Sequence, residues 1–146
     1  MKMRDLHARD EADWLRLWSG YLSFYESKLP NDVTNFTWQR AIDPHSSIIG
    51  RVAELDGEII GFSLSVLHSG TWTKEPICYL EDLFVDPSSR GSGAGRALIQ
   101  DLVDLAKERD WSRLYWHTRQ DNAVARRLYD KFTPADDFVR YRLVFD

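Results

Sequence analysis

The stretch Leu80-Glu81-Asp82-Leu83-Phe84-Val85-Asp86-Pro87-Ser88-Ser89-Arg90-Gly91-Ser92-Gly93-Ala94-Gly95-Arg96 decides how this chain is read. Its first six residues form a mostly apolar run of strand type, and Asp86-Pro87 stops it. Three glycines within five residues follow, and Ala94 opens a helical pattern that runs to Glu108. That helix sets Leu98, Leu102 and Leu105, with Ile99, Val103 and Ala106, at spacings of three and four. Glycines between a strand and a helix make a nest of backbone N–H groups, and the positive end of the helix dipole strengthens its pull on an anion. A pyrophosphate suits such a nest. The spacing lacks the Lys-[Ser/Thr] of a Walker A loop and departs from the dinucleotide fingerprint. Taken alone, the glycines leave the ligand open and are also compatible with a plain flexible loop.

Working outward, Lys2 to His7 reads as a short strand. Ala8 to Ser27 has helical period, with Trp14, Leu15, Leu17, Trp18, Tyr21, Leu22 and Tyr25, and Pro30-Asn31 breaks it. Thr34 to Ile42 reads as a second helix, ended by Asp43-Pro44. Ser47–Leu55 and Glu58–Ser69 are strand runs joined by Asp56-Gly57, a strong hairpin signal. Ile77–Val85 and Arg113–Thr118 are further strands. Asp121 or Asn122 caps a helix reaching about Lys131, and Phe138–Phe145 alternates as a last strand. The expected order is β-α-α-β-β-β-α-β-α-β. It implies an α/β fold with a mixed sheet of about six to seven strands, antiparallel first and parallel around the central crossover. No repeat, linker or low-complexity tract appears, so residues 1–146 are expected to form one domain.

The composition is that of an ordinary globular chain, 43% hydrophobic and 29% charged. A net charge of −4 argues against nucleic acid as a partner. The charge is uneven: residues 1–85 hold 13 acids and 8 bases (−5), and residues 86–146 hold 10 acids and 11 bases (+1). A cationic ligand in the first part and an anionic one in the second would fit. Cys78 is the single cysteine, so no intrachain disulfide can form, and its apolar strand predicts a buried thiol. His7, His45, His68 and His117 lack metal-ligand spacing, and no bound metal is expected. With no 18-residue apolar stretch and no visible signal peptide, a cytoplasmic protein that is not membrane-bound is expected.

The element order, with Arg90-x-x-Gly93-x-Gly95 after Tyr79-Leu80-Glu81-Asp82-Leu83-Phe84-Val85-Asp86-Pro87, resembles the GNAT superfamily of acetyl-CoA-dependent N-acetyltransferases. The later segment Asn122-Ala123-x-Ala125-x-x-Leu128-Tyr129 resembles that family's second cofactor motif. The likeness covers nearly the whole chain in element order and is most specific from Tyr79 to Phe132. Within the superfamily the strand motif looks most like the polyamine, thialysine and histone-type amine acetyltransferases. One departure follows Tyr129. Many relatives run through a Gly-Phe turn there, whereas this chain has Asp130-Lys131-Phe132-Thr133-Pro134.

The resemblance implies that the amides of Gly91, Ser92, Gly93, Ala94, Gly95 and Arg96 bind the pyrophosphate of coenzyme A, with Arg90 and Arg96 adding charge. It implies that the backbone of Leu83, Phe84 and Val85 pairs with the pantetheine arm as an added strand. Asn122, with Ala125, contacts the cofactor, and Tyr129 is the candidate acid for the departing thiolate. The plainer readings are an N-cap for Asn122 and core packing for Tyr129.

An amine acceptor must also shed a proton. At a pKa of ~10.4, the free base at pH 7 is unfavourable by roughly 4–5 kcal/mol. A carboxylate beside the thioester helps, and Glu81 is the expected one. Strict alternation puts Tyr79, Glu81, Leu83 and Val85 on one face, and Leu80, Asp82 and Phe84 on the other. Tyr25, Glu26, Glu81 and Asp82 are expected to meet the acceptor, with Asp32 in the loop beyond the first helix. For Trp38, Trp72 and Trp116 core packing is the better expectation. The implied activity is acetyl transfer to a primary amine, on a small molecule or a lysine side chain, by direct attack in a ternary complex. The alternative is a coenzyme A-binding sensor without turnover. Relatives often pair through C-terminal strands, so a homodimer is expected.

Overall fold

The computed structural model describes residues 1–145. Strand β1 (Lys2–Asp5) leads through a short 3-10 turn (Ala8–Asp10) into α1 (Glu11–Phe24) and α2 (Asn31–Ile42). Strands β2 (Ile48–Leu55), β3 (Glu58–His68) and β4 (Ile77–Val85) follow. A second 3-10 turn (Pro87–Ser89) precedes α3 (Ala94–Glu108), then β5 (Arg113–Tyr115) and α4 (Ala123–Tyr129). The sheet order is β1-β2-β3-β4-β5. The first three pairings are antiparallel and β4–β5 is parallel: short links join β2, β3 and β4, two helices separate β1 from β2, and α3 carries the crossover from β4 to β5. The Asp56-Gly57 turn has φ of 52° and 82°, the left-handed pair that a two-residue hairpin needs.

The chain divides into two compact units, Met1–Trp116 and the residues from His117 onward. The first holds the sheet and α1–α3. Its larger core joins Trp14, Leu17 and Trp18 of α1 and Trp38 and Ala41 of α2 to Val52, Phe62, Leu64 and Phe84 of the sheet. Trp14 stacks on Trp18 at 5.1 Å and lies 5.3 Å from Trp38. A second cluster joins Ala94 and Leu98 of α3 to Ala53 and Ile60, with Leu83 and Val85 packed against it. The two clusters draw on alternate residues of the strands: α1 and α2 cover one sheet face and α3 covers the other.

Four expectations are corrected. The sheet has five strands, because residues 138–145 form none. Phe138, Tyr141, Leu143 and Phe145 alternate as a strand would, yet each is more than 80% exposed, and no ladder includes them. Alternation marks a segment able to pair, but a strand exists only where a neighbour completes its hydrogen bonds. Asp32 lies in the first turn of α2 rather than in a loop, because α2 starts directly after Pro30. Trp72 is 92% exposed on the β3–β4 connection and packs in no core. The fourth correction concerns the two faces of β4.

That correction follows from register. Leu64 pairs with Asp82 and Ser65 with Leu80, so Glu81 has no partner on β3 and forms a bulge. Below it, Val66 pairs with Tyr79; above it, Phe62 pairs with Phe84. Phe62, Leu64 and Val66 share a face of β3, so Tyr79, Asp82 and Phe84 share the face under α1 and α2. Leu80, Leu83 and Val85 take the α3 face. The extra residue reverses the parity that strict alternation assumes.

Candidate active site

β4 and β5 are paired only at Ile77–Arg113, Cys78–Leu114 and Tyr79–Tyr115. Beyond Tyr79 no strand continues the ladder on that side, so β4 from Leu80 to Val85 presents an edge within the first unit. Such an edge offers backbone N–H and C=O groups to an extended ligand. Leu83, Phe84 and Val85, expected to pair with a pantetheine arm, lie on this edge. Their side chains pack in the two cores, which leaves the backbone as the part an extended ligand could meet.

The edge leads straight to the glycine loop. Asp86 ends β4 and holds the next turn, its Oδ1 accepting from the Ser88 N–H at 3.0 Å and the Ser88 hydroxyl at 2.9 Å. Arg16 of α1 donates to Asp86 Oδ2 at 2.8 Å. These bonds hold the Asp86 carboxyl below the usual carboxylate range, the Ser88 N–H contributing most. Gly91 and Gly93 have φ of 85° and 87°. Gly93 is the N-cap of α3, and no side chain caps that helix. The first turn of a 15-residue helix therefore turns its orphan N–H groups outward. A Cβ at Gly91 or Gly93 would meet no described atom within 4 Å, so the loop is open on the side where a side chain would stand. This is the cradle an anion such as a pyrophosphate fits. Ser92 and Arg96 are exposed beside it, Gly95 is half-buried and Ala94 buried. The exposed Arg90 guanidinium lies 5.6 Å from the centre of the Phe24 ring.

On the α1 face of β4 a second cluster forms. The Tyr21 hydroxyl donates to Asp82 Oδ1 at 2.7 Å. Around this pair Tyr21 meets Phe62 and Phe84 edge-on at 5.9 Å each, and Tyr25 at 5.1 Å. Burial pushes the Asp82 carboxyl up to about 7; the Tyr21 bond opposes this and the nearby Glu81 charge adds to it. Burial also raises the Tyr21 hydroxyl, so Tyr21 keeps its proton and acts as donor. Glu81 is exposed at the bulge. Tyr25 caps the end of α1 and Glu26 takes a left-handed φ of 52°, both exposed.

On the same sheet face, Tyr79 stacks on Tyr115 at 5.0 Å, and Tyr115 shares a 2.8 Å hydrogen bond with His68 Nε2. Three residues of this face, Tyr21, His68 and Tyr115, were not singled out from the sequence. Tyr21 carried a usable signal: an acid in an apolar strand needs a donor, and Tyr21 sits on the buried stripe of α1. His68 and Tyr115 carried none, since the bulge disguises which face they share.

In the second unit, Asn122 caps α4, its side chain accepting from the Ala125 N–H at 3.2 Å. The N-cap reading of Asn122 is thus realised. Tyr129 closes α4, and its carbonyl accepts from the N–H groups of Phe132 at 2.9 Å and Thr133 at 3.2 Å. Elsewhere, Cys78 is fully buried and burial pushes its thiol up to about 11, which leaves it a poor nucleophile at neutral pH. Among the described residues, no group of three His, Cys, Asp or Glu side chains could hold a metal ion. No helix of the described residues is long and apolar enough to cross a membrane.

The model of the acetyltransferase (GNAT) family matches residues 11–133. A D-amino-acid N-acetyltransferase of Saccharomyces cerevisiae is 32% identical over 142 residues, 96% of this chain and 88% of its own length. A thialysine N-epsilon-acetyltransferase of Mus musculus is 32% identical over 93 residues, 63% of this chain and 54% of its own length. Among solved structures, a ribosomal-protein-alanine N-acetyltransferase from Brucella melitensis superposes with a TM-score of 0.80 at 26% identity, covering 99% of this chain and 100% of that one.

Proposed function

Because this chain belongs to the GNAT acetyltransferase family and is an acetyl-CoA-dependent N-acetyltransferase, we propose that its acceptor is a small primary amine acetylated by direct attack in a ternary complex. The observation that carries this reading is the uncapped start of α3, with left-handed Gly93, placed at the end of an unpaired β4 edge. Acetyl-CoA supplies the acyl group as a thioester. The amides from Gly91 to Arg96 would hold its pyrophosphate, with Arg90 and Arg96 adding charge. The backbone of Leu83, Phe84 and Val85 would hold its arm, and a β4 amide would polarise the carbonyl. The family resemblance also assigns Asn122, the cap of α4, and Ala125 to the cofactor.

An amine arrives as an ammonium ion. Glu81, exposed at the bulge, and Glu26, at the end of α1, attract it, while Tyr25 offers a ring face. Tyr129 provides the proton that the departing sulfur takes. We read the two compact units as parts of one acetyltransferase domain, since the family match runs through both. The yeast and mouse relatives are named for D-amino acids and thialysine, which favours amino acids and their analogues over protein lysines.

The test is thiol release from acetyl-CoA against D- and L-amino acids, thialysine, spermidine, short diamines and a histone-tail peptide. Turnover with amino-acid amines supports the reading. Turnover with the peptide alone overturns its acceptor class. Tight acetyl-CoA binding without turnover on any amine leaves the sensor. Tyr129→Phe is expected to lower kcat about 100-fold with little change in the KM for acetyl-CoA; full activity would remove Tyr129 from the chemistry.

A further inference from the structure

Asp82 is a half-buried carboxyl on the stretch of β4 that no strand covers beyond Tyr79. Its Oδ1 is engaged by the Tyr21 hydroxyl at 2.7 Å, and among the described residues no hydrogen bond reaches Oδ2. Phe62 and Phe84 surround the pair with apolar rings. Leu83, the first residue of the edge proposed to hold the acyl arm, is its direct neighbour. Resting on the acetyl-transfer reading, we propose that Asp82 takes the proton from the acceptor ammonium, and that Tyr21 is its positioning residue. The role expected of Glu81 thereby passes to the next residue along, and Glu81 serves attraction.

The chemistry balances. The ammonium gives one proton to Asp82 Oδ2, leaving a neutral amine whose lone pair forms the new C–N bond as the C–S bond breaks. Tyr129 gives its proton to the leaving sulfur and regains one from the amine's second proton, and Asp82 returns its own to solvent. Tyr21 suits the task because its hydroxyl donates to Oδ1 and leaves Oδ2 to gain and lose the proton. Among the described residues, Tyr21 from α1 and Glu81 from β4 act on this carboxyl, Tyr25 from α1 acts on Tyr21, and Tyr79 lies on the same face of β4. From β3 the residue opposite is the apolar Leu64, and His68 lies four residues on, bonded to Tyr115 of β5. The carboxyl is pushed up to about 7, so at neutral pH it is charged often enough to accept a proton and basic enough to want one.

The experiment is the pH dependence of kcat, from about pH 5.5 to 9.5 with both substrates saturating, for the unaltered chain and three variants. The unaltered chain should show a rising limb with its midpoint near 7. Asp82→Asn should lose about 100-fold in kcat and the limb with it, while acetyl-CoA affinity is kept. Tyr21→Phe removes a bond that favours the charged carboxylate, so the limb should move to higher pH, with kcat recovering on the alkaline side. A residue that merely packs the core would lower kcat without moving the limb. Glu81→Gln should raise the KM for the amine and leave the limb in place. The proposal is overturned if Asp82→Asn keeps kcat and the limb, or if Glu81→Gln removes it. Should Asp82→Asn fail to fold, Tyr21→Phe decides: an unmoved midpoint sinks the pair. Lack of turnover by the unaltered chain would overturn the acetyl-transfer reading itself, an outcome distinct from turnover that ignores Asp82.

Discussion

Gly93 shows how much a single position can carry. Its φ of 87° lies where a side chain costs about 1–2 kcal/mol, whatever space surrounds it. A Cβ there meets nothing in the protein, so the only other thing it can obstruct is a ligand. Gly57 in the β2–β3 hairpin provides the control, with φ of 82° and equally open surroundings. Gly93→Ala and Gly57→Ala should therefore lower stability by similar amounts in denaturant titration. Only Gly93→Ala should weaken acetyl-CoA binding, by about tenfold or more in calorimetry, because the amides it displaces act as charge-assisted donors. Equal binding by the two variants would move the pyrophosphate away from this loop. Gly93 was legible from the sequence because its demand is local: a strand, a stop, glycines, then a helix. Tyr21 was less legible, since its 2.7 Å bond to Asp82 joins residues 61 positions apart.

The informative element is β4. Its existence, its bounds at Ile77–Val85 and its turn into the glycine loop follow from composition and from Asp86-Pro87. The identity of its two faces does not. Period-two reading assumes one residue per partner, and the Glu81 bulge breaks that rule, bringing Tyr79 to the face of Asp82. The buried acid has a consequence for stability. An unfolded Asp titrates near ~3.9, whereas folding raises Asp82 to about 7. The folded state therefore holds the proton more tightly. The stability linked to this group is complete below the unfolded value and is lost as pH rises through the folded one. Between about pH 5 and pH 8, the Tm of the unaltered chain should fall relative to that of Asp82→Asn, which cannot ionise. Parallel Tm curves for the two across that window would show that Asp82 titrates normally. Asp10 works in the opposite sense. Burial raises it, but the two-pronged Arg4 contact at 2.8 and 3.0 Å and the His7 N–H lower it by more, so its contribution is lost only in acid.

Over the entire chain, the segment Phe138–Phe145 is the largest departure from expectation. Six of its eight residues are large apolar groups between 74% and 92% exposed. Exposed apolar surface of this kind, with a strand's alternation, favours cover by a second copy of the chain. We expect light scattering at micromolar concentration to give twice the 17.1 kDa chain mass. The triple change Phe138→Ser, Tyr141→Ser and Leu143→Ser should return it to one chain; a monomer before any change would end the idea. The helices, the hairpin, the glycine loop and the capping Asn122 could all be read in advance, because each depends on residues within a turn or two along the chain. Three features could not: the parity of β4, the partner of Asp82, and the absence of a strand at 138–145. Each depends on which distant segment supplies the neighbouring hydrogen bonds and rings. Periodicity along one segment carries no record of its partner, so only the assembled sheet and the helix laid across it could supply those answers.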